Sequence, residues 1–247
     1  MGSINLLYRN ILENSTVTTT NEATGYPDYR LYDRDVGKLF KGTSTANHTI
    51  KADQGAVTQY EVDTLIIPSG HNLSGGAQLD WEYSANDSDW SDMVTAWSGA
   101  AGQIVKEASA EQDKRYWRLV LTSLAAIPEI PEVWMGLKIE LADVIAWGYQ
   151  EGPRGNVEKM ESLSGRPYLL ELGEERQYRN YTCKIQDSDT RDDLESFFSH
   201  SRGKPFWLKD LDDEWIFMCL VDPNIGPFSR PGYGRWDINL EMIEVLA

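Results

Sequence analysis

The sequence predicts a mainly β chain of two domains: an N-terminal antiparallel sandwich, for which a jelly roll is one solution, then a C-terminal α+β domain in which strands dominate and one helix stands among them. Three observations carry this expectation. A chain of 247 residues is more than one small core usually serves. Apolar and polar residues alternate strictly in several short stretches, the mark of half-buried strands. Only one stretch has helical periodicity, and it lies in the second half.

In chain order, Gly2 to about Ala56 is rich in Thr, Asn, Asp, Gly and Lys and reads as loops and short strands. Tyr60 to Ile67 is a β-branched and aliphatic strand that stops at Pro68-Ser69-Gly70. Ala77 to Tyr83 sets Ala77, Leu79, Trp81 and Tyr83 against Gln78, Asp80 and Glu82, and a polar loop, Ser84 to Asp92, follows. Tyr116 to Leu121 alternates again, with Trp117, Leu119 and Leu121 on one face. Pro128 and Pro131 confine Glu129-Ile130 to a sheet edge, and Val133 to Met135 leads to Gly136. The pattern then weakens, and the domains divide as 1–140 and 141–247, the boundary being placed near the breaker cluster Gly152-Pro153-Arg154-Gly155-Asn156.

The second half reads as strands at Pro167 to Leu172 and Arg179 to Gln186, a helix, then strands at Pro205 to Leu208 and Glu214 to Val221 around the hairpin loop Asp210 to Asp213. Asp189 or Thr190 caps the helix, Asp192 and Asp193 suit its positive end, and Leu194, Phe197 and Phe198 share one face. It is expected to end near His200 to Gly203. The closing strand alternates Trp236, Ile238, Leu240 and Met242 with Asp237, Asn239 and Glu241.

Charge narrows the function. Thirty-nine acidic residues against 23 basic give a net charge of −16, which disfavours gathering phosphates and argues against nucleic-acid binding. Met1 to Tyr8 has no basic, apolar leader pattern, and no apolar run reaches membrane-spanning length, so a soluble chain made in the cytoplasm is expected. Cys183 and Cys219 stand apart in apolar or alternating runs, read as two buried thiols rather than a metal or redox pair.

Catalysis finds few candidates. His48, His71 and His200 sit in unrelated contexts, and the sequence has no nucleophile elbow, phosphate loop or zinc-protease motif. Glu82, Glu129, Glu132 and Glu214 are conceivable glycosidase carboxylates, but nothing singles out a pair. Asp33 with Asp35, or Asp87 with Asp89, read as turn residues before calcium ligands. No catalytic residue, metal or cofactor is expected. Aromatics are the more informative group. Trp81 and Trp117 belong to apolar strand faces and read as core, whereas Tyr83, Trp90 and Trp97 accompany polar loops and are the candidate glycan contacts, with Trp90 open to either use.

Four stretches give the first half a family likeness: Tyr26-Pro27 with Leu31-Tyr32-Asp33, Val62 to Leu73 with its IIPSGHNL turn, Arg115 to Leu119, and Glu132 to Gly136. In order and spacing they resemble galactose-binding-like, discoidin-type domains of phage tail proteins over roughly residues 1 to 140. The resemblance implies a jelly-roll sandwich. The second half, through Gly165-Arg166-Pro167-Tyr168, the helix with Leu194 and Phe197-Phe198, Gly203 to Trp207 and Trp236 to Val245, is similar to tail-tip domains built on the phage tail-tube fold, including distal tail proteins. That likeness implies a β-sandwich with one flanking helix that assembles as a ring around the tail channel.

The function expected from these likenesses is a non-enzymatic structural protein of a phage tail tip or baseplate. It would form a homo-oligomeric ring, touch the tail tube, tail hub and tape measure proteins, and reside in the virion. The alternative is a carbohydrate-binding module that recognises host-surface glycans. A polysaccharide hydrolase is a third reading.

Overall fold

The computed structural model describes residues 4–57, 59–141, 150–154, 157–161, 167–171, 175–185, 188–221, 229–232 and 235–245. In chain order the first strand is β1 (Ile4–Leu7). Eleven strands follow: β2 (Thr16–Thr19), β3 (Phe40–Lys41), β4 (His48–Asp53), β5 (Val62–Ile67), β6 (Gln78–Ser84), β7 (Ser91–Asp92), β8 (Trp97–Ser98), β9 (Ile104–Gln112), β10 (Tyr116–Thr122), β11 (Glu129–Ile130) and β12 (Trp134–Gly136). The rest comprises β13 (Ile139–Leu141), β14 (Gln150–Arg154), β15 (Val157–Glu161), β16 (Pro167–Glu171), β17 (Arg176–Ile185), helix α1 (Ser188–Ser201), β18 (Phe206–Lys209), β19 (Trp215–Leu220), β20 (Ser229–Gly232) and β21 (Arg235–Glu244). The chain is mainly β, with antiparallel sheets and one α-helix among the described residues.

Two compact units emerge, and their division differs from 1–140 and 141–247. One unit is Arg9–Lys138; the other joins Met1–Tyr8 to Ile139–Leu246. Strand β1 belongs with the C-terminal unit because it lies between β13 and β18, with Leu6 opposite both Ile139 and Leu208. The first unit is thus an insertion between two neighbouring strands of the second. The Gly152-Pro153 breaker, near which the boundary was expected, is instead part of β14, an edge strand of the large sheet. An edge is where a strand tolerates proline. Gly155-Asn156 of that cluster, and Gly165-Arg166 of the tail-tip likeness, lie outside the described residues.

The inserted unit is a β-sandwich. One sheet runs β2-β4-β10-β6-β7 with β8 on β6, and a second runs β12-β5-β9. Period-two alternation sends Ile50, Leu79, Trp81, Trp117 and Leu119 from the first sheet and Leu65, Ile67, Ile104 and Met135 from the second into one core. Trp81 and Trp117 are fully buried with ring centroids 5.9 Å apart, as expected of core tryptophans. The ends of the unit are fastened together by Asn10. Its side chain accepts from the Leu12 and Met135 backbone N–H groups at 3.2 Å and donates to the Val133 carbonyl at 2.8 Å.

In the C-terminal unit eight strands form one antiparallel sheet, β13-β1-β18-β19-β21-β17-β14 with β20 on β21, and β15 pairs with β16 separately. Helix α1 buries Leu194 and Phe197 against Phe206, Leu208, Met218 and Leu240. Phe206 meets Phe197 edge to face at 4.8 Å. The alternation predicted for the closing strand holds, with Ile238, Leu240 and Met242 buried and Asn239 exposed. Cys219 is a half-buried free thiol rather than a fully buried one, since its strand turns it away from Met218. The Cys183 side chain lies outside the described residues.

Candidate functional site

The outer face of the sandwich's larger sheet is the candidate site, and its chemistry follows from strand parity. Where Leu79, Trp81 and Tyr83 point inward from β6, Asp80, Glu82 and Ser84 point outward; where Trp117 and Leu119 point inward from β10, Tyr116 and Arg118 point outward. Register then sets Arg118 between Lys51 of β4 and Glu82 of β6, with Asp92 of β7 beyond Glu82. Arg118 donates to both oxygens of Glu82, from Nε at 2.5 Å and from Nη2 at 3.1 Å. This fork-to-carboxylate pairing fixes the guanidinium plane.

Trp90 lies over that plane, its ring centroid 4.0 Å from the Arg118 Cζ. The loop that carries it is built from its own polar side chains. The Ser84 hydroxyl accepts from the Asn86 and Asp87 N–H groups, and the Asn86 carbonyl oxygen accepts from those of Ser88 and Asp89. Asp87 takes the left-handed conformation (φ 63°) and pairs with Lys51 at 2.8 Å. The indole is held on the guanidinium by a preformed turn and stays partly exposed.

Beside it, Asp80, Glu82 and Asp92 bring carboxylate oxygens within 4.8 Å of one another, a grouping with the spacing of metal ligands. Burial, then the charges of Glu82 and Asp92, push the Asp80 carboxyl above its ordinary range. The face as a whole combines an aromatic surface, hydrogen-bond acceptors and a guanidinium donor.

The structure separates the three aromatics predicted to act together. Trp90 is on the outer face. Tyr83 points inward and packs against Trp117 with centroids 5.8 Å apart. Trp97, on β8 opposite Leu79, packs on the core with the Lys106 ammonium 5.0 Å over its ring. Tyr83 and Trp97 are therefore sited as core-facing side chains and do not join Trp90. Sequence reasoning missed Arg118 and Asp80, whose signal was their polar parity on otherwise apolar strands. It also passed over Tyr26 and Tyr29, which are exposed on the loop before β3; the Arg30 guanidinium lies 5.2 Å over the Tyr26 ring.

Other candidates resolve into structural roles. Asp33 and Asp35 accept from backbone N–H groups two residues on, those of Asp35 and Gly37, and Asp35 pairs with Lys38 at 2.6 Å. The buried His48 ring bridges the Thr20 and Ser44 carbonyls at 2.9 Å each. Glu129 pairs with Lys41, and Glu132 is buried in the core.

No family model matches the chain, and no curated protein matches it. Solved structures do. A mutant of chitosan-binding module 1 derived from a chitosanase/glucanase of Paenibacillus sp. IK-5 is 15% identical, covering 52% of this chain and 98% of its own, with a TM-score of 0.45. A Clostridium perfringens carbohydrate-binding module in complex with GalNAc-β-1,3-galactose is 12% identical, covering 53% and 99%, with a TM-score of 0.43. A putative α-L-fucosidase from Bacteroides thetaiotaomicron is 19% identical over 52% of this chain and 28% of its own, at 0.45. Among the described residues no helix is long and apolar enough to cross a membrane.

Proposed function

We propose that the inserted sandwich is a carbohydrate-binding module whose polar sheet face holds the glycan, and that the chain acts by binding rather than by catalysis. One observation carries this reading: a partly exposed indole, Trp90, is fixed over the Arg118–Glu82 pair with unshared carboxylates alongside. Pyranose rings present C–H faces that rest on an aromatic surface and rims of hydroxyls that need both donors and acceptors, and this face offers all three at fixed positions. A glycan array screened with the whole protein, followed by titration of the best hit, tests it. Trp90→Ala is expected to weaken binding about tenfold or more. Unchanged affinity in a folded Trp90→Ala protein removes the face as the site.

A second reading, in which the C-terminal unit assembles into a phage tail-tip ring, draws on the sheet with helix α1 between β17 and β18, the arrangement implied by the tail-tip likeness. In that case the sandwich decorates the virion and the two readings coexist. Closed rings in light scattering and electron micrographs of the purified protein support assembly; a strict monomer, alone and with tail proteins, overturns it. The carbohydrate reading leads because it rests on a described cluster of side chains.

A further inference from the structure

We infer that this face reads a run of sugars along a linear glycan rather than one terminal sugar, with Tyr116 a second stacking residue for the chain whose neighbouring sugar rests on Trp90. The inference rests on the carbohydrate-binding reading and deepens it. Tyr116 and Arg118 are successive outward residues of β10, so their Cα atoms stand roughly 7 Å apart. Trp90 lies over Arg118, whose guanidinium is bonded to Glu82 directly across on β6. Tyr116 belongs to the adjoining row, opposite Asp53 of β4 and Ser84 of β6. Two aromatic side chains therefore stand in neighbouring rows of one sheet face.

The two rings are braced alike. The Arg115 guanidinium lies 4.7 Å from the Tyr116 ring centroid and donates to both oxygens of Asp53, from Nε at 2.7 Å and from Nη2 at 2.8 Å. Tyr116 and Trp90 are thus each seated against a guanidinium whose plane a carboxylate fixes, one from β4 and the other from β6. Rings held this way have little freedom left to lose when a ligand lands on them. Both residues stay partly exposed. The Lys51–Asp87 ion pair crosses β10 beside them, from β4 to the loop that carries Trp90, with side chains 32% and 36% exposed. Its ammonium and carboxylate are accessible to hydroxyls on the same ligand. A pyranose stacks on one aromatic ring at a time, so rings rooted in separate rows hold separate sugars. The polar groups are laid out along the sheet rather than gathered round one ring, which suits a chain and not a single sugar.

The test is calorimetric titration of the full chain with linear oligosaccharides of glucose, mannose, galactose and N-acetylglucosamine, each series running from the monosaccharide to the hexasaccharide. In a series that binds, affinity is expected to rise about tenfold or more with chain length and to level off once both rings are covered. Tyr116→Ala is expected to flatten that rise, and Tyr116→Phe, which keeps the ring, to restore it. Trp90→Ala is expected to weaken binding at every length. Equal affinity at all lengths, still dependent on Trp90, overturns the extended platform and leaves the carbohydrate reading intact. A rise that survives Tyr116→Ala overturns the role of Tyr116. Failure of all four series to bind also overturns the platform, and the glycan array then decides the broader reading.

Discussion

Replacing Asp210 with alanine is expected to destabilise the C-terminal unit by about 3–5 kcal/mol, the range found when one partner of a buried ion pair is removed. Asp210 is 2% exposed and meets Arg179, 6% exposed, at 3.1 Å. The Arg179 guanidinium also donates to the Gln177 side chain and the Tyr178 carbonyl at 3.2 Å, so it is oriented toward the carboxylate. The other carboxylate oxygen of Asp210 accepts from the Asp212 and Glu214 N–H groups and shapes the turn between β18 and β19. In sheet order β19 and β21 separate β18 from β17. The pair therefore links two strands that are not neighbours in the sheet. Asp210→Asn keeps the turn acceptor and loses the charge, and is expected to cost less than the alanine variant. Urea titration of both checks this, and a loss under about 1 kcal/mol for alanine would mean the pair adds little.

The sandwich is expected to lose stability as pH rises through neutrality, by about 2 kcal/mol between pH 6.5 and 8. Glu132 is the cause. It is fully buried, and burial pushes its carboxyl up to about 8 even though Oε1 accepts from the Arg34 N–H at 2.8 Å. The Arg34 guanidinium is turned instead to Glu13, at 2.6 Å, and lies over the Trp134 ring. In the unfolded chain Glu132 ionises near its ordinary value of 4.5, so from there to about 8 the folded protein holds a proton that the unfolded one has released. A raised acid therefore stabilises fully below 4.5 and progressively less above it, by about 5 kcal/mol over the whole span. Burial lowers the His71 imidazole, which tilts stability the opposite way below about pH 6.5, leaving the Glu132 slope clear above it. Denaturation across pH 6.5 to 8 checks the slope. Glu132→Gln is expected to flatten it, and a slope that survives in that variant would assign it elsewhere.

Strands with one buried face were legible in the sequence because parity reports burial. Tyr116 to Thr122 and the closing strand alternate as expected. Strand β9 was missed since it lies at a sheet edge with only Ile104 buried, leaving no alternation to read. Strand β14 was hidden by Gly152 and Pro153, which look like a break until the edge position is known. The place of β1 depends on pairing with residues far along the chain, which no local pattern records. At the site, Trp90 stood out as an aromatic in a polar loop. Its partner Arg118 was invisible because only register brings the two together, and Tyr83 was drawn in by nearness in sequence although it shares the inward parity of Trp81.

The placement of β1 also sets an order of events during synthesis. Its first partner, β13, is made only after the whole sandwich, roughly ten seconds or more later at ordinary elongation rates. Bringing two strands together across so long a loop is entropically slow for an open chain. A sandwich that folds as it emerges shortens that search, for when Asn10 fastens to Val133 and Met135, the strands flanking it are delivered to each other as the arms of a hairpin. In that order of events the inserted unit serves as the long turn between β1 and β13.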